Sequence, residues 1–176
     1  MSNKTIIVGE RSNLSQNLKK RIKNSEVISS QEIINSKLNF KKLEVNGQIN
    51  LIINSFYPSL KLRTNIEFNE FIEKSLLTLT KILKIFSAKK INKIIYTSSA
   101  SVYNLSKLDL YETQLSNREI YSITKYLSEK ILINFSNRNK INLTIARIFN
   151  LYGGKDNFSI INTITSSYIK KKTLTI

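Results

Sequence analysis

The sequence has 176 residues, 41% of them hydrophobic and 23% charged, which is typical of a globular domain with a single core. It contains no cysteine and no histidine, which excludes disulfides, zinc–thiolate sites, cysteine nucleophiles and histidine general bases. Any acid–base chemistry must therefore come from tyrosine, lysine, aspartate or glutamate side chains. The formal net charge of +16 raises the question of a polyanionic partner such as nucleic acid.

Short apolar, β-branched runs predict the strands of a sheet. They are KTIIV (4–8), EVISS (26–30), the weaker FKKLEV (40–45), INLIINS (49–55), KIIYTS (93–98) and NLTIARIF (142–149). Apolar residues at helical spacing predict the helices, which cover 14–22, 66–87, 119–136 and 157–171. Unbroken Ile and Val strands are buried on both faces, and here they alternate with helices. The sequence therefore predicts an α/β fold, a doubly wound parallel sheet built from right-handed βαβ units.

The lysines are scattered along the chain, and no zinc knuckle, basic helix or platform of spaced aromatic residues accompanies them. This pattern favours a general compositional charge over a nucleic-acid site. The N-terminal MSNKTIIVGERSN lacks the features of a signal peptide, and the longest apolar stretch, SLLTLTKILKIF, is interrupted by lysines. We therefore expect a cytoplasmic protein with no membrane partner.

Small and polar residues follow the predicted strands at their carboxyl ends. Gly9, Ser98, Ser99 and Asn150 all lie at or just beyond such ends. In doubly wound sheets ligands bind along this edge, at the point where the strand order reverses. The sequence therefore predicts that these four positions converge on one site.

The first strand is followed by VGERSNLSQNL, which places Gly9, Ser12 and Ser15 at a G-x-x-S-x-x-S spacing. A dinucleotide loop uses small residues for a tight turn, for close approach of the backbone to a pyrophosphate and for close helix–strand packing. The N-terminus of the following helix then attracts the phosphates. A serine-rich helix N-cap explains the same residues equally well.

The stretch YSITK places Tyr121 and Lys125 four residues apart on one helix face. A nearby ammonium favours phenolate, so we expect Lys125 to lower the pKa of Tyr121 toward neutrality and make it a usable general acid or base. Ser99, at the end of the preceding strand, can hydrogen-bond the same substrate oxygen. On spacing alone, an ordinary surface pair of tyrosine and lysine explains the pattern better.

Several motifs in succession resemble the extended short-chain dehydrogenase/reductases, the NAD(P)-dependent nucleotide-sugar epimerases, dehydratases and reductases. They are IIVGERSNLSQNL, INLIINS, SLLTLTKIL, IIYTSSASVYN, YSITKYLSEKIL and IARIFNLYGGKDNFSII. The resemblance covers nearly the whole chain. Its specific features are a serine at the end of a strand, then YxxxK, then R-x-x-N-x-Y-G after the next strand. It implies an NAD(P)-binding Rossmann fold.

The resemblance also implies roles for individual residues. Tyr121 is then the catalytic acid–base, Lys125 holds the nicotinamide ribose and tunes that tyrosine, and Ser99 binds the reacting oxygen of the substrate. Asn150 matches a position that contacts the sugar nucleotide or the nicotinamide region. The implied cofactor-binding residues are Gly9, Arg11, Ser12, Asn13, Leu14, Ser98, Tyr121 and Lys125. The residues at implied framework positions are Arg147 and Tyr152.

Departures from the family pattern bear on the cofactor. Ser12 and Ser15 replace two family glycines, which is expected to weaken pyrophosphate binding. The end of the second strand offers Ser29 and Ser30 where an acidic residue for the adenosine ribose is expected. Arg11 resembles the basic residue that NADP-using members place against the 2′-phosphate, although a solvated loop charge explains it equally well. The expected cofactor is therefore NAD or NADP, with NADP favoured.

The reaction implied is hydride transfer between a sugar carbon of a nucleotide sugar and the nicotinamide, with Tyr121 moving the hydroxyl proton. The resemblance assigns residues 1–153 to the NAD(P)-binding domain. Residues 154–176 are assigned to the start of a truncated substrate-binding segment, whose lobe is largely missing. A homodimer through helices that include the YxxxK helix is a further implication.

Two other functions are compatible with the sequence. The serine-substituted loop is also expected in a Rossmann module that binds nucleotide, or a partner chain, without turnover. The +16 charge is also expected in a basic nucleic-acid-binding protein, whose affinity for DNA or RNA would depend strongly on salt.

Overall fold

The computed structural model describes residues 3–37, 47–54, 65–86, 90–107, 117–149, 151–153 and 159–170. The strands are β1 (Lys4–Val8), β2 (Ser25–Ile28), β3 (Ile49–Ile53), β4 (Ile91–Ser99) and β5 (Asn142–Ile148). The helices are α1 (Asn13–Arg21), α2 (Ser30–Ile34), α3 (Asn65–Ile85), α4 (Asn117–Asn139) and α5 (Ile160–Ile169), with a 3-10 segment at Ala100–Lys107. This alternation confirms the predicted α/β class. The weak strand predicted at 40–45 lies outside the described residues.

The five strands form one parallel sheet in the order β2-β1-β3-β4-β5. The chain moves outward from β1 to β2 and then returns to the other side of β1 for β3. The strand order therefore reverses between β1 and β3, and the carboxyl ends of these two strands flank the crevice where doubly wound sheets bind ligands.

Helices cover both faces of the central strands. Ile6 and Ile7 are adjacent in β1 and so point to opposite faces of the sheet, yet both are fully buried. The helical side chains packed into the same core include Leu79 and Ile82 of α3 and Leu132 of α4. Each such side chain contributes about 1.5–3 kcal/mol by leaving water. The sequence predicted this arrangement from unbroken Ile and Val runs.

The last strand corrects one sequence-based expectation. NLTIARIF was predicted as a strand buried on both faces, but β5 is only partly buried, with Asn142 and Thr144 exposed. Among the described residues it pairs with β4 alone, so it forms one edge of the sheet. A strand at the edge of a sheet is not shielded on one side by the side chains of a neighbouring strand. The apolar residues of a strand do not show whether it lies at an edge.

Among the described residues, no helix is long and apolar enough to cross a membrane.

Candidate active site

The loop after β1 is built as a tight turn into α1. Gly9 has a φ of 111°, in the region that favours glycine, and its carbonyl accepts the backbone N–H of Ser12 at 3.0 Å. Ser12 is the N-cap of α1, and its hydroxyl oxygen accepts the Ser15 N–H at 3.2 Å. The N-cap explanation is therefore confirmed for Ser12, and the dinucleotide-loop explanation stays a prediction.

The start of α1 has free hydrogen-bond donors that fit an anionic ligand. The backbone N–H groups of Asn13 and Leu14 have no acceptor among the described residues, as expected for the first turn of a helix. The Arg11 side chain is exposed and makes no hydrogen bond or ion pair within the described part of the chain. These groups lie beside Gly9 at the strand-order reversal, so this end of the sheet can hold the phosphates of a dinucleotide.

The end of β2 offers no carboxylate for a ribose. Ser29 is the N-cap of α2 and accepts the N–H of Gln31, while Glu32 accepts the backbone N–H of Ser29. Both residues are thus used by the helix cap.

Ser99, at the end of β4, lies next to Tyr121 and acts to lower the pKa of its phenol. Its oxygen accepts two bonds from Ser101, from the backbone N–H at 3.2 Å and from the hydroxyl at 3.0 Å. Ser98, the preceding residue, is buried. The structure therefore brings Ser99 and Tyr121 together, as predicted.

Lys125 lies one turn along α4 from Tyr121 and is buried against β4. Its Nζ donates to the Thr97 carbonyl at 3.1 Å and lies 5.2 Å from the ring centroid of Tyr96 and 5.8 Å from that of Tyr121. Burial lowers the pKa of Lys125 to about 8, although the nearby Glu129 carboxylate acts in the opposite direction. The ammonium thus lies over the face of the Tyr121 ring.

This geometry corrects the prediction that Lys125 lowers the pKa of Tyr121. Burial raises the pKa of Tyr121 above its ordinary value of 10.0, and only the hydrogen bond from Ser99 acts in the opposite direction. The reason is position, because the ammonium of Lys125 is directed to the Thr97 carbonyl. In this structure Tyr121 is therefore a phenol at neutral pH.

Two residues of the site escaped the sequence analysis. Asn54, directly after β3, is buried and hydrogen-bonds Ser12, Ser15 and Thr97 through its side chain. It was missed because the strand was predicted to run through 55, whereas it ends at Ile53, which leaves Asn54 just past the strand end.

The second is Glu129, on the buried stripe of α4 one turn after Lys125. It accepts two bonds from Arg147, at 3.0 Å from Nε and 2.7 Å from Nη2. Burial opposes the charged form of Glu129, but the bonds from Arg147 prevail and lower its pKa. The four-residue spacing to Lys125 could have identified it.

The remaining predicted positions lie near β5 or outside the described residues. Arg147 ties β5 to α4 and also stacks on Tyr103, with its guanidinium carbon 4.5 Å from that ring centroid. Tyr152 is exposed, and Asn150 lies outside the described residues. The nearby Gly153 carbonyl accepts a bond from the Asn13 side chain at 2.8 Å, so the segment after β5 reaches back to the start of α1.

Together these features define a class of protein. A parallel sheet with a glycine turn and free N–H groups at its strand-order reversal is a Rossmann-type nucleotide-binding fold. At the carboxyl end of β4, Tyr121, Ser99 and Lys125 lie close together. The chain belongs to the NAD dependent epimerase/dehydratase family, whose model matches residues 4–174.

Known proteins agree with this assignment. The chain is 34% identical over 85 residues, 43% of its length, to the bifunctional polymyxin resistance protein ArnA of Wigglesworthia glossinidia brevipalpis, of which it covers 13%. Its fold matches a GDP-D-glycero-L-gluco-heptose synthase of Campylobacter jejuni, solved in the presence of NADPH, with a TM-score of 0.66 and 16% identity over 97% of this chain and 55% of the other. It also matches the UDP-glucuronic acid 4-epimerase of Bacillus cereus, solved with UDP-glucuronic acid and NAD, with a TM-score of 0.63 and 16% identity over 98% of this chain and 65% of the other. The chain therefore spans less than two thirds of each relative.

Proposed function

We propose that this chain binds NADP or NAD and takes part in hydride transfer on a nucleotide sugar, with Tyr121 as the acid–base. The observation that carries the proposal is the cluster of Tyr121, Ser99 and Lys125 at the carboxyl end of β4, beside the anion cradle at the start of α1. Family membership and the NADPH- and NAD-containing structures of similar fold support it. Under this proposal residues 1–153 form the cofactor domain and residues 154–176 begin the substrate-binding segment.

Each residue of the cluster has a defined task. A nicotinamide cofactor held at this edge of the sheet would supply the hydride acceptor or donor. Ser99 hydrogen-bonds the reacting sugar oxygen, and Tyr121 takes the hydroxyl proton in oxidation or supplies it to a ketone in reduction. Lys125 places positive charge beneath the phenol ring and would hold the nicotinamide ribose. Burial raises the pKa of Tyr121, so its form at neutral pH is the phenol, which can supply a proton to a ketone.

We further propose that the cofactor is NADP, held through Arg11. The Arg11 guanidinium is exposed at the cradle and the end of β2 carries no carboxylate to bond a ribose hydroxyl, which favours a 2′-phosphate. Replacing Arg11 by alanine should weaken NADP binding about tenfold, the effect of one charge-assisted hydrogen bond, and leave NAD binding unchanged. Calorimetric titration of both cofactors checks this, with Arg21→Ala, an exposed arginine at the far end of α1, as the matched control.

The same titration separates the competing functions. Absence of NADP and NAD binding by the folded wild-type chain would contradict the proposal, and a salt-dependent affinity for DNA in its place would support the nucleic-acid alternative. Cofactor binding without turnover on any nucleotide sugar would support the non-catalytic nucleotide-binding module.

We also propose a homodimer through α3 and α4. The groove between these helices is lined by four apolar side chains, Leu83, Leu127, Ile131 and Phe135, together with Lys130, Asn134, Arg138 and Asn139. Leu127 is 44% exposed, so a charge there would oppose burial of this face against a second copy. We expect Leu127→Lys to convert a dimer to a monomer in sedimentation velocity, while Asn137→Lys, which adds the same charge elsewhere on α4, should not. A wild-type chain that sediments as a monomer would refute the proposal.

A further inference from the structure

Asn54 connects three elements at the carboxyl edge of the sheet. It follows β3 directly, is 4% exposed, and its backbone N–H donates to the Val8 carbonyl of β1 at 3.1 Å. Its side-chain oxygen accepts the Thr97 hydroxyl of β4 at 2.8 Å. The side chain is therefore fixed at the point where the strand order reverses, immediately beneath the start of α1.

Both N–H groups of this side chain are given to the loop serines. Nδ2 donates to Ser12 Oγ at 2.6 Å and to Ser15 Oγ at 2.9 Å. Ser15 is fully buried at the position where a dinucleotide loop places glycine for close helix–strand packing. Asn54 supplies the partner that this buried hydroxyl requires.

The hydrogen bonds that Ser12 accepts determine where its own hydroxyl hydrogen can point. A serine hydroxyl has two acceptor lone pairs and one hydrogen. The Ser12 oxygen already accepts the Ser15 backbone N–H at 3.2 Å and the Asn54 amide at 2.6 Å. Its hydrogen can return to neither donor, and no described residue accepts it. That hydrogen is therefore left for a ligand, beside the free N–H groups of Asn13 and Leu14.

We propose that Asn54 is a positioning residue that fixes the Ser12 hydroxyl as a hydrogen-bond donor to the cofactor pyrophosphate. This inference rests on the proposed cofactor binding. It means that the serine loop replaces the close backbone approach of a glycine loop with a hydroxyl donor of fixed orientation. The sequence suggested that serine in place of glycine in this loop weakens pyrophosphate binding. Under this proposal Asn54, which follows another strand, compensates for that loss.

The test is a double-mutant cycle on NADP affinity, measured by calorimetry with the full chain. Ser12→Ala and Asn54→Ala should each weaken NADP binding about tenfold, the loss of one hydrogen bond to a charged group. Because both remove the same donor, the double variant should also lose about tenfold rather than the hundredfold expected of independent sites. Ser12→Thr keeps the hydroxyl and should stay within about threefold of wild type.

Controls separate positioning from loss of structure. Asn50→Ala removes an amide from the opposite end of the same strand, where Asn50 accepts a bond from Asn92 at 2.9 Å, so it should lower the melting temperature without changing NADP affinity. Asn54→Asp fills the same space but cannot donate. It should turn the Ser12 hydrogen inward and weaken NADP binding at least tenfold, even if Asn54→Ala fails to fold.

Two outcomes overturn the proposal, and they are distinguishable. If the wild-type chain binds NADP but the Ser12 and Asn54 losses multiply independently, or are no larger than that of Asn50→Ala, Asn54 does not act through Ser12. If the folded wild-type chain binds neither cofactor, the proposed function fails and this inference fails with it.

Discussion

Replacing Tyr121 by phenylalanine is expected to lower turnover about a thousandfold, the middle of the range for a positioned acid–base group, while changing cofactor affinity by less than about threefold. The substitution removes the hydroxyl next to Ser99 but keeps the ring, whose centroid lies 6.1 Å from that of Phe71. Helix α4 should therefore keep its place. The measurement is the absorbance change of the nicotinamide during reaction with a panel of nucleotide sugars.

Tyr126→Phe is the matched control for this experiment. Tyr126 is on the same helix, is 37% exposed and contacts Lys130 rather than the site. Its variant should turn over at the wild-type rate. Equal turnover by Tyr121→Phe and Tyr126→Phe would show that the chemistry does not pass through Tyr121.

The buried Lys125 should give the protein an unusual dependence of stability on pH. Burial lowers the pKa of Lys125 in the folded state to about 8 from its ordinary 10.5, so between these values the unfolded chain binds a proton that the folded chain does not. Stability rises with pH wherever the folded chain binds fewer protons than the unfolded chain. This group should therefore add roughly 2 kcal/mol to the free energy of unfolding between about pH 7.5 and pH 10. The gain ends near pH 10, because the raised pKa values of Tyr96 and Tyr121 then act in the opposite direction.

Urea unfolding of wild type and Lys125→Met at several pH values checks this result. Methionine has similar length and no charge, so the rise attributable to residue 125 should vanish in the variant, whatever its absolute stability. Lys130→Met, an exposed lysine on the same helix, should keep the wild-type slope. Parallel slopes for wild type and Lys125→Met would mean that Lys125 keeps an ordinary pKa in the folded chain.

Much of the fold follows from local pattern. The Ile and Val runs of β1, β3 and β4 could be identified because both faces of these strands are buried. Apolar residues therefore follow one another without alternating with polar ones. Helix ends were less certain, and α4 extends from Asn117 to Asn139 where apolar spacing predicted 119–136. The exposure of β5 depends on whether another strand lies beside it, which its own residues do not encode.

Some features of the site could likewise be predicted from local sequence, and others could not. Spacing along the helix predicted that Tyr121 and Lys125 share a face, but their catalytic roles were implied only by the family resemblance. Asn54 was missed because its partners, Ser12 and Ser15, lie 42 and 39 positions away and are brought to it only by the crossover between β1 and β3. The protonation of Tyr121 was predicted wrongly because the direction of the Lys125 ammonium is set by a carbonyl of β4, which spacing along α4 cannot show.

The one-sided pairing of β5 has a consequence for the behaviour of the protein in solution. Among the described residues, the outer edge of β5 has no neighbouring strand, and the exposed rings of Phe149 and Tyr152 lie just beyond it, which is the kind of surface on which a second copy adds. The net charge of +16 opposes such encounters, because copies repel one another over about 30 Å at 0.01 M salt but only about 8 Å at physiological ionic strength. Low salt should therefore suppress association of copies at this edge, and added salt should promote it.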